Sequence, residues 1–271
     1  MNLVSILGFF FLGGVTGLIS GYLGIGGGVI LVPILTALLS HQGLGIERTM
    51  TSAFATSLFT AIFTTGAAAF QQYRQQNLIL KVVPWTAGGA VVGGQIGSWL
   101  GSNLPGATLR TSFVIFLLLA AVYLIGDWKP TNEDETKLRF NRVVLVTLGL
   151  VTGVLSGLFG IGGGIVMVPA FIFLLSFPIG KVSGTSSAIA FLLSISGVVG
   201  YLLYGGSRAG VEAGFVGVID VAVAIPIIAG SLITAMTGAR LNKKYGGTVY
   251  RKVFGVFLII IAVRMFLTGR H

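Results

Sequence analysis

Gly21–Pro33 reads GYLGIGGGVILVP, and Gly157–Pro169 reads GLFGIGGGIVMVP. Extended back to Thr16 and Thr152, the two windows agree at 11 of 18 positions with a constant offset of 136 residues, so the chain is a duplication. Each copy arrives on an apolar run, is interrupted by five residues of which four are glycine, and resumes through a proline. Backbone that leaves a helix inside a bilayer must be buried in protein or line a wet cavity, because lipid cannot satisfy its N–H and C=O groups. The two breaks are therefore expected to form one paired site.

The composition around them belongs to a membrane. Only 9% of residues are charged, 54% are hydrophobic and the mean hydropathy is +0.97, whereas a soluble domain carries roughly 25% charged residues. Charge-free runs extend from Val82 to Leu109, Val143 to Gly180 and Val182 to Ser207, each longer than the roughly 20 residues that cross a bilayer. The 42 glycines, with abundant Ala, Ser and Thr, supply small faces that let membrane helices approach closely. Absence of cysteine removes disulfides, thiolate metal sites and Cys nucleophiles, and His41 and His271 are too far apart for a zinc site. The net charge of +10 is scattered among short loops, the pattern of basic cytoplasmic loops rather than of a nucleic-acid footprint. MNLVSILGFFFLGG carries no basic residue ahead of its apolar run and reads as a first span rather than a cleaved signal.

Outward from the breaks, each half divides into five apolar segments. In the first these are Leu3 to Ser20, Val29 to Ser40, Thr49 to Phe70, Val82 to Ser102 and Thr108 to Ile125, with Gln71 to Lys81 a polar loop. The second repeats the order, with Val143 to Phe159, Ile165 to Phe177, a span from Val182, a helix from about Asp220 to Arg240, and a last span in which Phe254 and Phe257 fall opposite Phe113 and Phe116. Asp127–Arg142 holds four of the seven acids and four bases. It reads as a cytoplasmic linker (127–142) between a first repeat, 1–126, and a second, 143–271.

The expected fold class is an all-α integral membrane protein, a polytopic helix bundle of two homologous repeats broken at the glycine motifs. An odd number of crossings per repeat inverts the second copy. With an outside N-terminus and ten crossings, 12 of the 17 Lys and Arg residues fall on the cytoplasmic side and 5 outside, in keeping with the positive-inside rule. Counting each broken pair as one crossing gives instead eight spans and a parallel duplication.

Candidate substrate contacts follow from donor chemistry. The runs Gly24, Gly26, Gly27, Gly28 and Gly160, Gly162, Gly163, Gly164 can take left-handed conformations and aim backbone N–H groups at one point. The helix that follows each run adds the positive end of its dipole. Hydroxyls at the start of the following span, Thr51 and Ser52 in one copy and Thr185 and Ser186 in the other, can donate to the same oxyanion, or can cap and back-bond to their own helix. Neither break is a nucleotide loop, since the run before it is helical and membrane-embedded rather than a strand and no Lys-Ser/Thr closes it. Asp220 reads as an N-cap and Arg264 as a snorkelling side chain, while Gln71, Gln72 and Gln95 are lone amides that could line a path. No span holds paired carboxylates and no metal-ligand spacing occurs, so no enzyme, cofactor or metal is expected.

The duplicated GxxGIGGGxxxVP, the Thr-Ser pair opening the next span (Thr51-Ser52, Thr185-Ser186) and the basic loop after GARL resemble the TauE/SafE sulfite-exporter family of membrane permeases along essentially the whole chain. That resemblance implies a multi-pass transporter of the bacterial inner (plasma) membrane for small sulfur-containing anions such as sulfite, thiosulfate or organosulfonates, with the ion gradient of a proton or sodium as driving force. It places substrate contacts at Gly24 to Gly28, Thr51, Ser52, Gly160 to Gly164, Thr185 and Ser186. A passive anion channel and a non-transporting scaffold or sensor subunit are the alternatives.

Overall fold

A computed structural model describes residues 2–24, 26–126, 140–208, 214–244 and 248–267. Most of the charged linker, 127–139, lies outside the described residues.

Among the described residues, ten helices follow the order read from the apolar segments. In the first half they are α1 (Leu3–Leu23), α2 (Gly28–His41), α3 (Ile46–Arg74), α4 (Val83–Asn103) and α5 (Gly106–Ile125). In the second they are α6 (Arg142–Phe159), α7 (Gly164–Leu175), α8 (Ile179–Tyr204), α9 (Val221–Lys244) and α10 (Thr248–Leu267). Six of them are long and apolar enough to cross a membrane. At 1.5 Å per residue the 14-residue α2 and 12-residue α7 reach only ~21 and ~18 Å, while the 29-residue α3 reaches ~44 Å. Helix α3 thus continues through Gln71–Arg74, which the polar character of QQYR marks as loop. A hairpin of two short strands, β1 (Phe215–Val216) and β2 (Ile219–Asp220), leads into α9 and has no counterpart in the sequence reading.

Glycine spacing decides which helices pair. On α4, Gly89, Gly93 and Gly97 recur every four residues and so share one face. A Cβ on them would lie 2.1, 2.2 and 2.3 Å from the carbonyl oxygens of Val146, Leu150 and Val154 of α6. On α1, Gly13, Gly17 and Gly21 meet the carbonyls of Ile227, Ser231 and Ala235 of α9 at 2.1, 2.5 and 2.0 Å. Only glycine permits such backbone approach, the packing device of helices that gain no hydrophobic drive from lipid. In both pairs the numbers rise together, so the helices run parallel, and each pair joins one half to the other.

Corresponding helices, by contrast, run against each other. Along α3 and α8, contacts pass from Thr51 with Arg208, through Leu58 with Gly197 and Gly66 with Phe191, to Gln72 with Gly184. Along α5 and α10, Arg110 donates through Nε to Met265 O at 3.0 Å, and Ala121 and Ile125 lie against Gly255. Phe54, Phe113 and Phe159 interlock through edge and tilted contacts at the centre of the largest buried cluster, which draws α3, α5 and α6 around the second break.

Candidate functional site

Each break is built by three left-handed glycines. Gly24, Gly26 and Gly27 have φ of 70, 84 and 68°, and Gly160, Gly162 and Gly163 have 69, 68 and 80°. L-residues enter that region only with strain, so the sequence GIGGG dictates this local path. The first glycine of each trio closes the preceding helix: Gly24 N–H donates to Ser20 O at 2.7 Å and Gly160 N–H to Ser156 O at 2.8 Å. The last one opens the next helix, and neither Gly27 nor Gly163 can supply a side-chain cap to α2 or α7. The N–H groups of Gly26, Gly27, Gly162 and Gly163 donate no backbone hydrogen bond among the described residues.

The two breaks meet. A Cβ on Gly26 would lie 3.1 Å from Gly162 Cα, and one on Gly162 would lie 3.3 Å from Gly26 Cα. A Cβ on Gly28 would lie 2.3 Å from Gly160 O. Around this contact the halves exchange donors: Ser57 Oγ of α3 donates to Gly160 O at 2.7 Å, and Ser186 Oγ of α8 donates to Gly24 O at 3.3 Å. Thus Gly24 O and Gly160 O are each answered by a hydroxyl, Gly28 N–H is taken by Gly26 O at 2.8 Å, and the N–H groups of Gly26, Gly27, Gly162 and Gly163 stay open among the described residues.

Further hydroxyls surround the glycines without partners. Ser20 Oγ, Thr152 Oγ1, Ser156 Oγ and Ser183 Oγ are fully buried and accept or donate no hydrogen bond among the described residues. Ser20 Cβ lies 3.6 Å from a Cβ placed on Gly27, and Ser156 Oγ lies at the same distance from one placed on Gly163. Ser183 Oγ lies 2.8 Å from the corresponding position on Gly24. Leaving a polar group buried and unpaired costs about 1–3 kcal/mol, and four such hydroxyls lie beside two loops of open amides.

The expected site residues divide accordingly. Gly24, Gly26, Gly27, Gly28, Gly160, Gly162 and Gly163 come together, Gly164 begins α7 beside them, and Ser186 joins them through Gly24. Ser52 Oγ is buried and has no hydrogen-bond partner among the described residues. Thr51 and Thr185 are engaged elsewhere. Thr51 Oγ1 donates to Glu47 O and Gly101 O and accepts from Arg208 Nη1 at 2.9 Å; Thr185 Oγ1 donates to Lys181 O and accepts from Ile79 N–H at 3.1 Å. Each threonine anchors its helix start to the loop that follows the opposite repeat's long helix. Of the amides, Gln95 ties α4 to α8 through Ser196, and Gln72 donates to Ala239 O of α9. Asp220 caps α9, its Oδ1 accepting from Val223 N–H at 3.1 Å. Sequence reasoning missed Ser20, Ser57 and Ser156, although Ser20 and Ser156 are among the identities of the duplicated windows.

A separate apolar recess of about 610 Å³ opens between α3, α8 and α9, lined by Phe63, Phe70, Tyr73, Phe191, Leu232 and Met236. Apart from the Tyr73 hydroxyl its named lining is apolar, and none of the glycines of the breaks lines it.

With this geometry in place, the chain can be set beside known proteins. The profile described as sulfite exporter TauE/SafE matches residues 9–265. A "Probable membrane transporter protein" of Methanocaldococcus jannaschii is 29% identical over 259 residues, covering 94% of this chain and 93% of its own. The "Probable membrane transporter protein YunE" of Bacillus subtilis is 26% identical over 276 residues, covering 95% and 96%. A relative so named in Haemophilus influenzae is 28% identical over 258 residues, covering 94% and 96%. No solved structure matches. A polytopic helical membrane protein with paired glycine breaks, matched over nearly its whole length, this chain belongs to the TauE/SafE sulfite-exporter family.

Proposed function

We propose that this membrane transporter is a secondary permease for small sulfur-containing anions, such as sulfite, thiosulfate or organosulfonates, working in the inner or plasma membrane. The observation that carries the reading is the meeting of Gly26 and Gly162, each break flanked by a buried, unpartnered serine. Open amides at two helix N-termini and neutral hydroxyls suit an oxyanion, and neutral donors bind it without the tight grip of a buried cation. The sulfur chemistry rests on the family resemblance.

Transport follows from inverted repeats rocking about the site. Two features support inversion: α3 opposes α8, and α5 opposes α10. Both are corresponding pairs, and a two-fold axis lying across the helices produces antiparallel partners. Backbone contact between the breaks at Gly26 and Gly162 speaks against a permanently open filter. In the mechanism, the anion is held by the amides of Gly26, Gly27, Gly162 and Gly163 with Ser20 and Ser156. The half-length helices α2 and α7 then move with their breaks to expose it to one side or the other, driven by a proton or sodium gradient. Purified protein in proteoliposomes is expected to give saturable flux of labelled sulfite or thiosulfate. Absence of flux for every sulfur oxyanion and organosulfonate, with protein intact, overturns the substrate assignment.

A further inference from the structure

We propose that the seam where α4 and α6 begin is a binding site for one anionic phospholipid, its phosphate held between Lys81 and Arg142 and its acyl chains lying along the exposed apolar side chains of the two helices. The site belongs to the membrane boundary of the fold and stands apart from the transported anion.

The sequence sets both cations at that boundary. Lys81 immediately precedes the charge-free run Val82 to Leu109, and Arg142 immediately precedes the run Val143 to Gly180. Glycine contacts bring the two boundaries to one level: Gly89 lies against Val146 and Gly93 against Leu150, so the helices are parallel and start side by side. There they exchange cations. Arg142 of α6 lies over the Trp85 ring of α4, its Cζ 4.7 Å from the centroid, and Lys81, just ahead of α4, lies over the ring of Phe140, just ahead of α6, its Nζ at 5.0 Å. Both cations are exposed.

Ring contact orders these side chains without consuming their donors. A ring face attracts the positive charge, and the N–H groups of the guanidinium and the ammonium remain for an oxyanion. The first amides of α6 are already taken, since Asn141 Oδ1 accepts from Val143 N–H at 2.9 Å and from Val144 N–H at 3.4 Å. A phosphate is therefore met by the two side chains. Around them Leu80, Trp85, Val143 and Val144 are exposed. Paired cations, an aromatic ring at the boundary and apolar side chains beside it match the phosphate, the interfacial region and the chains of a phospholipid in turn, whereas a free phosphate would use only the first. A lipid held here ties together two helices from opposite halves of the chain.

Thermal unfolding of the purified, delipidated full chain in detergent, titrated with phosphatidylglycerol, with phosphatidylcholine and with inorganic phosphate, tests the site, and native mass spectrometry counts the lipid retained. Phosphatidylglycerol is expected to raise the unfolding temperature more than phosphatidylcholine, with one molecule tightly held, and phosphate at matched concentration is expected to have no effect. Lys81→Gln/Arg142→Gln should weaken the apparent affinity for phosphatidylglycerol by about tenfold or more, whereas Lys81→Arg/Arg142→Lys should keep it. Arg74→Gln/Arg240→Gln, which removes two exposed charges from α3 and α9, should leave it unchanged. Equal responses to the two lipids, an equal loss in both glutamine pairs, or a loss in the charge-conserving pair would overturn the site. Stabilisation by phosphate as strong as by phosphatidylglycerol would overturn the lipid assignment in favour of a free anion.

Discussion

Replacing Ser20 or Ser156 by Ala removes a donor from a break without disturbing its three left-handed glycines. Neither hydroxyl has an intramolecular partner to lose, so the thermal unfolding temperature of either variant is expected to hold or rise. Hydrogen bonds to charged groups contribute about 1.5–3 kcal/mol, so anion affinity is expected to fall by roughly 10- to 100-fold, measured as the shift of half-maximal flux. Ser57→Ala is expected to behave in the opposite way: it strips a buried donor from Gly160 O and should lower stability by about 1–3 kcal/mol. Unchanged affinity in Ser20→Ala and Ser156→Ala together would move the anion away from the breaks. At this scale the glycines were legible, because the duplicated GIGGG has few uses inside a bilayer. The hydroxyls were only partly so. Thr51 and Ser52 are adjacent, as are Thr185 and Ser186, yet successive helix residues point about 100° apart. Whether the threonine or the serine faces the break depends on helix rotation, which is set by partners the local sequence does not name.

The helices themselves were read nearly to their ends, since apolar runs bounded by breaker residues leave little choice in a bilayer. Gln71–Arg74 extended α3 because a long helix can leave the membrane and continue in water with its polar residues exposed or tied down, as Gln72 is to α9. Pairing was hidden for a different reason. A glycine stripe announces a close neighbour but does not say which one, and α1 finds α9 rather than α2. That pairing carries its own expectation. Gly93→Val on α4 places a side chain 2.2 Å from Leu150 O and should destabilise by about 1–3 kcal/mol or more, whereas Gly88→Val on the same helix meets nothing within 4 Å and should be neutral. Thermal unfolding of the two variants checks the contrast; equal effects would sink the proposed interface between α4 and α6.

For the molecule as a whole, the opposed course of α3 and α8 makes a topological prediction. Single cysteines at Gly43, ahead of α3, and at Gly180, at the start of α8, are expected to react with a membrane-impermeant maleimide from opposite sides in a chain that has no cysteine of its own. A parallel duplication would expose both from the same side. Labelling of sealed vesicles in each orientation reads the difference, and same-side reaction would exclude inverted repeats.

The exchange of partners between halves also has a consequence for biogenesis. Gly13 of α1 packs on Ile227 of α9, so roughly two hundred residues separate the two in synthesis, or about 10–40 s at ordinary elongation rates. Throughout that interval the glycine groove of α1 sits in the membrane with its designated neighbour still unmade. A nascent first half is thus expected to keep this groove filled by lipid or an assisting protein, and to gain resistance to proteolysis only when the second half docks.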